Sequence, residues 1–262
     1  MDKKQYQINP RSINALKFPQ PQFFHTLLLD TTDTCNLHCL YCHNPRSNLK
    51  IDLEDFKRFI GEQVAAVSYL QIGCGMEPLM DKRLVEFVEL IHNTHAAPFS
   101  QFRIQTNGIL LHKHNIDRLR AGGVNLFTIS MDTLNPDIHK ELRGGSNLEA
   151  ILNNIKTLQT KWEGIEICFV ATVTKRNLNG LEDLIRYAID NNIKRIEIRN
   201  MFHFSDSEII RDHNKMRELS VPNCIFLGTT YKLYEKYKNQ ITMLINDKTK
   251  LESIMDETEF FS

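Results

Sequence analysis

Residues 23–42 read FFHTLLLDTTDTCNLHCLYC. The first half is a short apolar run that closes on Asp30 and reads as a strand over 25–30. The second half carries Cys35, Cys39 and Cys42 at C-x3-C-x2-C spacing. A strand therefore runs straight into a loop rich in thiols. Outward from this stretch, five further strand-like runs follow, at 68–73, 101–107, 125–132, 165–174 and 195–201. Helix-like segments separate them, at 52–67, 81–95, 115–121, 147–162 and 181–191. Asp52 and Asp55 stand near the start of the first of these helices, in the manner of a cap. Leu84, Val88 and Ile91 keep helical spacing in the second. Strand and helix in alternation predict an α/β fold with a parallel sheet and right-handed crossovers. Six units fall short of an eight-fold barrel, which leaves an open or partial barrel or a doubly wound sheet; the expectation taken forward is a partial (β/α)6 parallel barrel over 23–201. Residues 1–22, with Pro10, Pro19 and Pro21, read as an N-terminal arm. Residues 202–262 read as a short C-terminal α+β cap: a helix over 207–219, a strand over 224–227, a helix over 231–239, a strand over 241–245 and a terminal helix.

The chain has 262 residues, and its 32 Lys and Arg balance its 32 Asp and Glu. A zero formal charge argues against a broad polyanion-binding surface, and so against nucleic acid. Apolar content of 42% and charged content of 24% exclude a disordered or fibrous chain. No apolar run approaches the roughly 18 residues that span a membrane. The start, MDKKQYQINPRS, lacks the apolar core of a signal peptide. The expectation is a cytoplasmic protein with no membrane partner. Six cysteines in such a chain point to metal or redox chemistry more than to disulfides.

The strands alternate in polarity where doubly buried parallel strands read as continuous apolar runs. Ile165, Ile167, Phe169, Ala171 and Val173 share one face, and Glu166, Cys168, Val170, Thr172 and Thr174 the other. Phe102, Ile104 and Thr106 oppose Arg103, Gln105 and Asn107; Ile196 and Ile198 oppose Glu197 and Arg199. With the apolar faces against the helices, the polar faces line an interior that admits a polar ligand. A sheet with one face in solvent is the alternative.

Three close thiolates can converge on one metal centre. A structural zinc site takes four ligands, and an electron-transfer cluster normally takes four cysteines. Three cysteines leave one iron with an open position. His38 or His43 as a fourth ligand gives a Cys3His zinc site, the alternative that the spacing leaves open.

The loop CNLHCLYC after a first parallel strand resembles the cluster motif of the radical S-adenosylmethionine (SAM) superfamily. Later segments match in order. Gly73-Cys74-Gly75-Met76-Glu77-Pro78 resembles the family's GGEP segment, with Met76 in place of its second glycine. Gln105-Thr106-Asn107-Gly108 is similar to the TNG segment of the MoaA-like and peptide-maturing branches. Ser130-Met131-Asp132, followed by His139 and Arg143, resembles their S-x-D…H…R stretch. Val173-Thr174-Lys175-Arg176-Asn177 resembles their V-x-K-x-N stretch. All lie at the ends of predicted strands, where parallel sheets bind ligands.

The resemblance implies one 4Fe–4S cluster on Cys35, Cys39 and Cys42, with SAM on the open iron. It implies that Tyr41 lies near the adenine and that Gly75, Met76, Glu77 and Pro78 hold the SAM amino group. Thr106, Asn107, Ser130, Asp132 and Arg143 are the further candidate SAM contacts, Ser130 and Arg143 toward carboxylate and ribose. It implies reductive cleavage of SAM to a 5′-deoxyadenosyl radical that takes hydrogen from a polar small molecule or peptide. An external one-electron reductant of flavodoxin or ferredoxin type is the implied partner. Two alternatives stand beside this: an activase that places a glycyl radical on a partner enzyme, and a zinc or iron–sulfur module without catalysis. No G-x-S-x-G elbow or phosphate-binding G-x-x-x-x-G-K-[ST] is present, which ranks a hydrolase or transferase last. Cys168 on the lumen face and Cys224 in the cap are candidate hydrogen-atom donors. Cys74 reads as a packing thiol. His203 and Phe204 begin the cap and read as surface packing, with a place at the expected mouth as the alternative, and Tyr231, Tyr234 and Tyr237 with their neighbouring lysines suggest an amphipathic surface helix.

Overall fold

The computed structural model describes residues 5–42, 44, 46–95, 99–201 and 218–246. The chain divides into two compact units, 1–38 with 44–129 and 149–166, and 39–43 with 130–148 and 167–262.

The first unit is a parallel sheet with helices on one face. Its strands are β1 (Gln5–Ile8), β2 (Gln22–Leu29), β3 (Val64–Ile72), β4 (Gln101–Thr106) and β5 (Leu126–Ser130). Each pairs in parallel with the next in chain order. Part of the expected arm thus forms an edge strand. The register aligns Leu29, Ile72, Ile104 and Phe127 across four strands, and Leu27, Leu70 and Phe102 across three. All seven are buried, and they form the apolar floor under α1 (Leu53–Gln63), α2 (Leu84–Thr94) and α3 (Ile116–Ala121). Phe56 of α1 meets Phe87 of α2 edge to face, with ring centroids 4.8 Å apart. The opposite face carries the rows Thr26, Tyr69, Gln101 and Leu28, Gln71, Arg103. The polarity read from the sequence is therefore the polarity of the two sheet faces in this unit.

Asp52 caps α1 as expected, accepting from the backbone N–H of Glu54 (2.9 Å) and Asp55 (3.1 Å). The helix stops at Gln63 rather than running to 67. Val64 turns extended, and β3 begins there because Gln22 and Phe23 of β2 pair with Val64 and Ala66. Sheet pairing overrides the local helical preference of the Ala-Ala pair.

The second unit contains α4 (Pro136–Leu142), β6 (Glu166–Val173), α6 (Leu181–Asp190), β7 (Arg195–Asn200), α7 (Asn223–Tyr237) and β8 (Thr242–Asn246). The helix α5 (Leu148–Lys161) precedes β6 and belongs mostly to the first unit. β6, β7 and β8 pair in parallel, with Phe169, Ile196 and Met243 in one row. β8 realises the strand expected at 241–245. The strand expected at 224–227 is instead the first turns of α7. Phe226, Thr230, Leu233 and Tyr237 are buried at helical spacing. The run Cys-Ile-Phe-Leu has strand propensity, but packing of that stripe decides. The sequence reading also lacked α4. Its signal is Asn135-Pro136: Asn135 Oδ1 accepts from the N–H of Asp137 and Ile138, 3.0 Å each, and proline occupies the first turn. The helix expected at 207–219 falls almost wholly outside the described residues, as do the terminal helix, His203 and Phe204. Among the described residues, no helix is long and apolar enough to cross a membrane.

Candidate active site

The strand ends of the first unit gather around one carboxylate. Glu77 is 2% exposed. Its Oε1 accepts from Thr106 Oγ1 (2.6 Å) and from the Leu79 N–H (3.1 Å), and its Oε2 from the Asn107 N–H (2.7 Å). The Glu77 N–H donates to Thr34 O at 3.1 Å, and Asn107 Nδ2 donates to Asn36 Oδ1 at 2.8 Å. The loop after β3, the end of β4 and the chain just before and after Cys35 are thereby tied to one another. Asp30, at the end of β2, accepts from the N–H of Cys74 (2.8 Å) and Gly75. Asn44 Nδ2 donates to Gly75 O at 2.7 Å.

One glycine of this loop is required by its backbone, and a second leaves room for a neighbouring side chain. Gly73 has φ +88°, and a Cβ there would stand 2.3 Å from Gln105 O. A Cβ on Gly75 would stand 2.7 Å from Asn44 Nδ2. Met76 replaces the glycine that is not so constrained, and it lines a cavity of about 100 Å³ with Arg11, Asp30, Asp33 and Gly75. Pro78 opens a short helical turn, buried under the loop.

The second unit gathers around Asp132, which is fully buried. Arg143 grips it bidentately, Nε to Oδ2 at 2.7 Å and Nη2 to Oδ1 at 2.8 Å. Tyr41 Oη donates to Oδ2 at 2.5 Å, and the Thr172 N–H donates to Oδ1 at 2.9 Å. The guanidinium also lies 5.5 Å from the centroid of the Tyr41 ring. Asn177 Nδ2 donates to Asp132 O at 2.8 Å. The Leu40 N–H donates to Leu142 O at 2.9 Å, so the cysteine loop is held to the end of α4. Burial raises the Tyr41 phenol well above its ordinary range, against the opposing pull of Arg143. Burial alone would lower Arg143, but the Asp132 charge outweighs it and keeps the guanidinium charged. His139, buried on α4, is pushed down to about 4 by burial and then by the Arg143 charge; its Nε2 sits 3.0 Å from Ser146 Oγ.

The three cysteines lie on the connection between β2 and α1. None is in a disulfide; Cys35 and Cys39 are half-buried and Cys42 is exposed. The Leu37 N–H points at Cys35 Sγ at 3.5 Å, and the Cys42 N–H donates to Cys39 O at 3.1 Å. Arg46 donates to Cys35 O and Leu37 O and contacts the His38 ring. The His38 ring thus has a guanidinium beside it, and His43 lies outside the described residues. Among the described residues, no three His, Cys, Asp or Glu side chains form a preformed metal cage. The donor set still fits a cluster in its chemistry: three thiols within eight residues, none in a disulfide and one already facing a backbone donor, are soft ligands for iron.

Ser130 ends β5 and is half-buried. Cys168 is buried, with Sγ 3.4 Å from Phe169 O. Cys224 is exposed in the first turn of α7. Glu197 and Arg199 pair with each other through two contacts of 2.8 and 2.9 Å. Tyr237 is buried while Tyr231 is exposed, so the tyrosines of α7 divide between core and surface. Asn36, Asn44 and Asp30 were missed from sequence. Their only signal was proximity to the cysteines and to a strand end.

The profile described as the Radical SAM superfamily matches residues 29–188. The chain belongs to that superfamily, whose members are enzymes that use SAM with an iron–sulfur cluster. Among curated relatives, a probable GTP 3′,8-cyclase of Methanococcus aeolicus is 32% identical over 168 residues, 62% of this chain and 54% of that protein. The GTP 3′,8-cyclase of Peptoclostridium acidaminophilum is 30% identical over 64% of this chain and 52% of its own length. The chain spans about half the length of these relatives. Among solved structures, Streptococcus suis SuiB bound to S-adenosylmethionine aligns with TM-score 0.66 at 16% identity, over 85% of this chain and 50% of SuiB. anSMEcpe with bound AdoMet and the Cp18Cys peptide aligns with TM-score 0.63 at 20% identity, over 86% and 63%. These likenesses show the fold, the α/β partial barrel that the alternation of strand and helix predicted.

Proposed function

We propose that the protein is a radical SAM enzyme holding one 4Fe–4S cluster on Cys35, Cys39 and Cys42 and binding SAM at the remaining iron. With both bound, one electron from an external flavodoxin- or ferredoxin-like reductant would break the S–C5′ bond of SAM to give methionine and a 5′-deoxyadenosyl radical, which would take a hydrogen atom from the substrate and leave as 5′-deoxyadenosine. The residues of this chain bind, orient and exclude water. The observation that carries the reading is the Glu77 cluster, because a buried carboxylate spends both oxygens on holding the tips of two strand ends in place. That leaves the backbone of Gly75 and Met76 as the recognition surface for the SAM amino group. Glu77 belongs to that surface together with the loop it braces. Pro78, Thr106 and Asn107 shape the same loop. In the second unit, Asp132 orients Arg143 and Tyr41, and one guanidinium nitrogen, Nη1, stays outside the bidentate pair for an anionic group. Ser130 offers its hydroxyl at the strand end. Structural neighbours carry names that include a precursor peptide, and curated relatives are named for GTP. The substrate class we infer is a polar small molecule or a peptide residue, met in a cytoplasmic setting.

The test is anaerobic reconstitution with iron and sulfide, then SAM and dithionite, with 5′-deoxyadenosine as the readout. The expected result is product from the wild type and none from Cys39→Ala, with about four irons per chain. Bound zinc without acid-labile sulfide would overturn the reading.

A further inference from the structure

Gly75 is held from two sides. Its N–H donates to the Asp30 carboxylate, at 3.3 Å from Oδ1 and 3.2 Å from Oδ2. Its carbonyl accepts from Asn44 Nδ2 at 2.7 Å. Asp30 stands at the end of β2. Asn44 belongs to the segment that carries the cysteines, two residues beyond Cys42. Asn44 is half-buried, and its carboxamide lies close over the glycine. A Cβ on Gly75 would stand 2.7 Å from Asn44 Nδ2 and 3.2 Å from Asn44 Cγ.

Asn44 serves no element of its own. It belongs to no helix or strand, and α1 is capped by Asp52. Among the described residues its side chain makes one hydrogen bond, and that bond crosses 31 residues of chain to Gly75. The consequence lies in the peptide that follows. A peptide unit is planar, so a donor on the Gly75 carbonyl also fixes the direction of the Met76 N–H. Glycines at 73 and 75 give this loop more backbone freedom than other residues would. Fixing one of its peptides before a ligand arrives removes an ordering cost from binding. Gly75, Met76 and Asn44 also line one cavity of about 100 Å³, with Asp30 and Asp33.

We propose that Asn44 is a positioning residue for SAM, setting the Gly75–Met76 peptide that receives the SAM amino group. The inference rests on the function proposed above and names the side chain through which the cysteine segment shapes that peptide. Asn44 acts through Gly75, so its effect falls on the amino-acid end of SAM and spares the adenosine end.

The experiment measures binding without reductant, by calorimetry on the whole chain reconstituted with iron and sulfide. The ligands are SAM and 5′-methylthioadenosine, which lacks the amino and carboxylate groups. Asn44→Ala is expected to weaken SAM about tenfold, the loss of one hydrogen bond, and to leave 5′-methylthioadenosine unchanged. A side chain that merely supports the fold would weaken both ligands alike, and that result would overturn the proposal. Gly75→Ala reads the same contact from the other side and decides the matter where Asn44→Ala takes up no cluster. Gly75 has no positive φ, so alanine suits the backbone and its methyl displaces the Asn44 carboxamide. The expected result is again a tenfold loss for SAM alone, and unchanged SAM binding would overturn the proposal. Where both variants load, the double variant is expected to bind SAM no worse than either single one, because the methyl fills the space that Asn44 leaves. Losses that multiply to about a hundredfold would make the two residues independent and overturn it. Wild type that takes up the cluster and binds no SAM would sink the proposed function together with this inference. Equal SAM affinity in wild type and Asn44→Ala would sink this inference alone.

Discussion

Two buried carboxylates organise the two units, and they are held in different ways. Glu77 receives neutral donors alone among its described hydrogen bonds: a threonine hydroxyl and two backbone N–H groups. Asp132 receives a guanidinium twice, a phenol and one backbone N–H. The first arrangement is a turn brace, in which the charge is satisfied by dipoles of the segments it positions. The second is a buried ion pair, in which each member makes the other affordable inside the protein. A brace fails by loosening a loop. An ion pair fails by stranding a charge, which is costlier.

The largest effect separates them directly. Asp132→Ala leaves Arg143 buried without its counter-charge, and the expected loss is about 3–5 kcal/mol of folding stability. Urea unfolding at neutral pH checks this. A loss no greater than that of Glu77→Gln would break the distinction.

Acid sharpens the comparison next, because His139 belongs to the Asp132 side. Its folded pKa, about 4, lies below the ordinary value of 6.5. The unfolded chain therefore binds the proton first as pH falls. The stability associated with neutral His139 is whole above about pH 6.5 and is lost progressively down to about pH 4. A shift of this size corresponds to about 3 kcal/mol. His139→Gln is expected to flatten the stability profile across that window, and unfolding curves at stepped pH would read it.

Glu77→Gln keeps one acceptor and turns an amide toward Thr106 or the Asn107 N–H. The expected cost is about 2 kcal/mol, with faster hydrogen exchange at the amides of Leu79 and Asn107. Unchanged exchange there would deny the brace. The smallest effect is that of Tyr41→Phe, about 1 kcal/mol. Asp132 keeps three other donors, and the ring stays against Arg143. A loss as large as that of Asp132→Ala would make the phenol, not the guanidinium, the anchor.

Much of this was legible in the linear chain. Alternation such as Phe102-Arg103-Ile104-Gln105 predicted which face of each strand meets the helices, because side chains in an extended chain point to opposite sides in turn. Asp52 marked the start of α1, since a capping side chain acts within three residues. The spacing of Cys35, Cys39 and Cys42 and the segments at Glu77, Thr106 and Asp132 stood out because each is local. Other features were not legible. Helix α1 gives way to β3 at Val64 because β2 offers its backbone there. Residues 224–227 are helical because Phe226, Thr230, Leu233 and Tyr237 find a core. Sequence named Glu77, Asp132, Arg143 and Tyr41 as a common set of ligand contacts. Tertiary structure adds their partners within the protein, a brace around Glu77 and an ion pair of Asp132 with Arg143, since Thr106 lies 29 residues from Glu77 and Tyr41 lies 91 residues from Asp132. The chain by itself determined periodicity, caps and donor chemistry, which are set by near neighbours. Pairing register, buried partners and the hold of Asn44 on Gly75 belong to the folded state, where distant residues first share a surface.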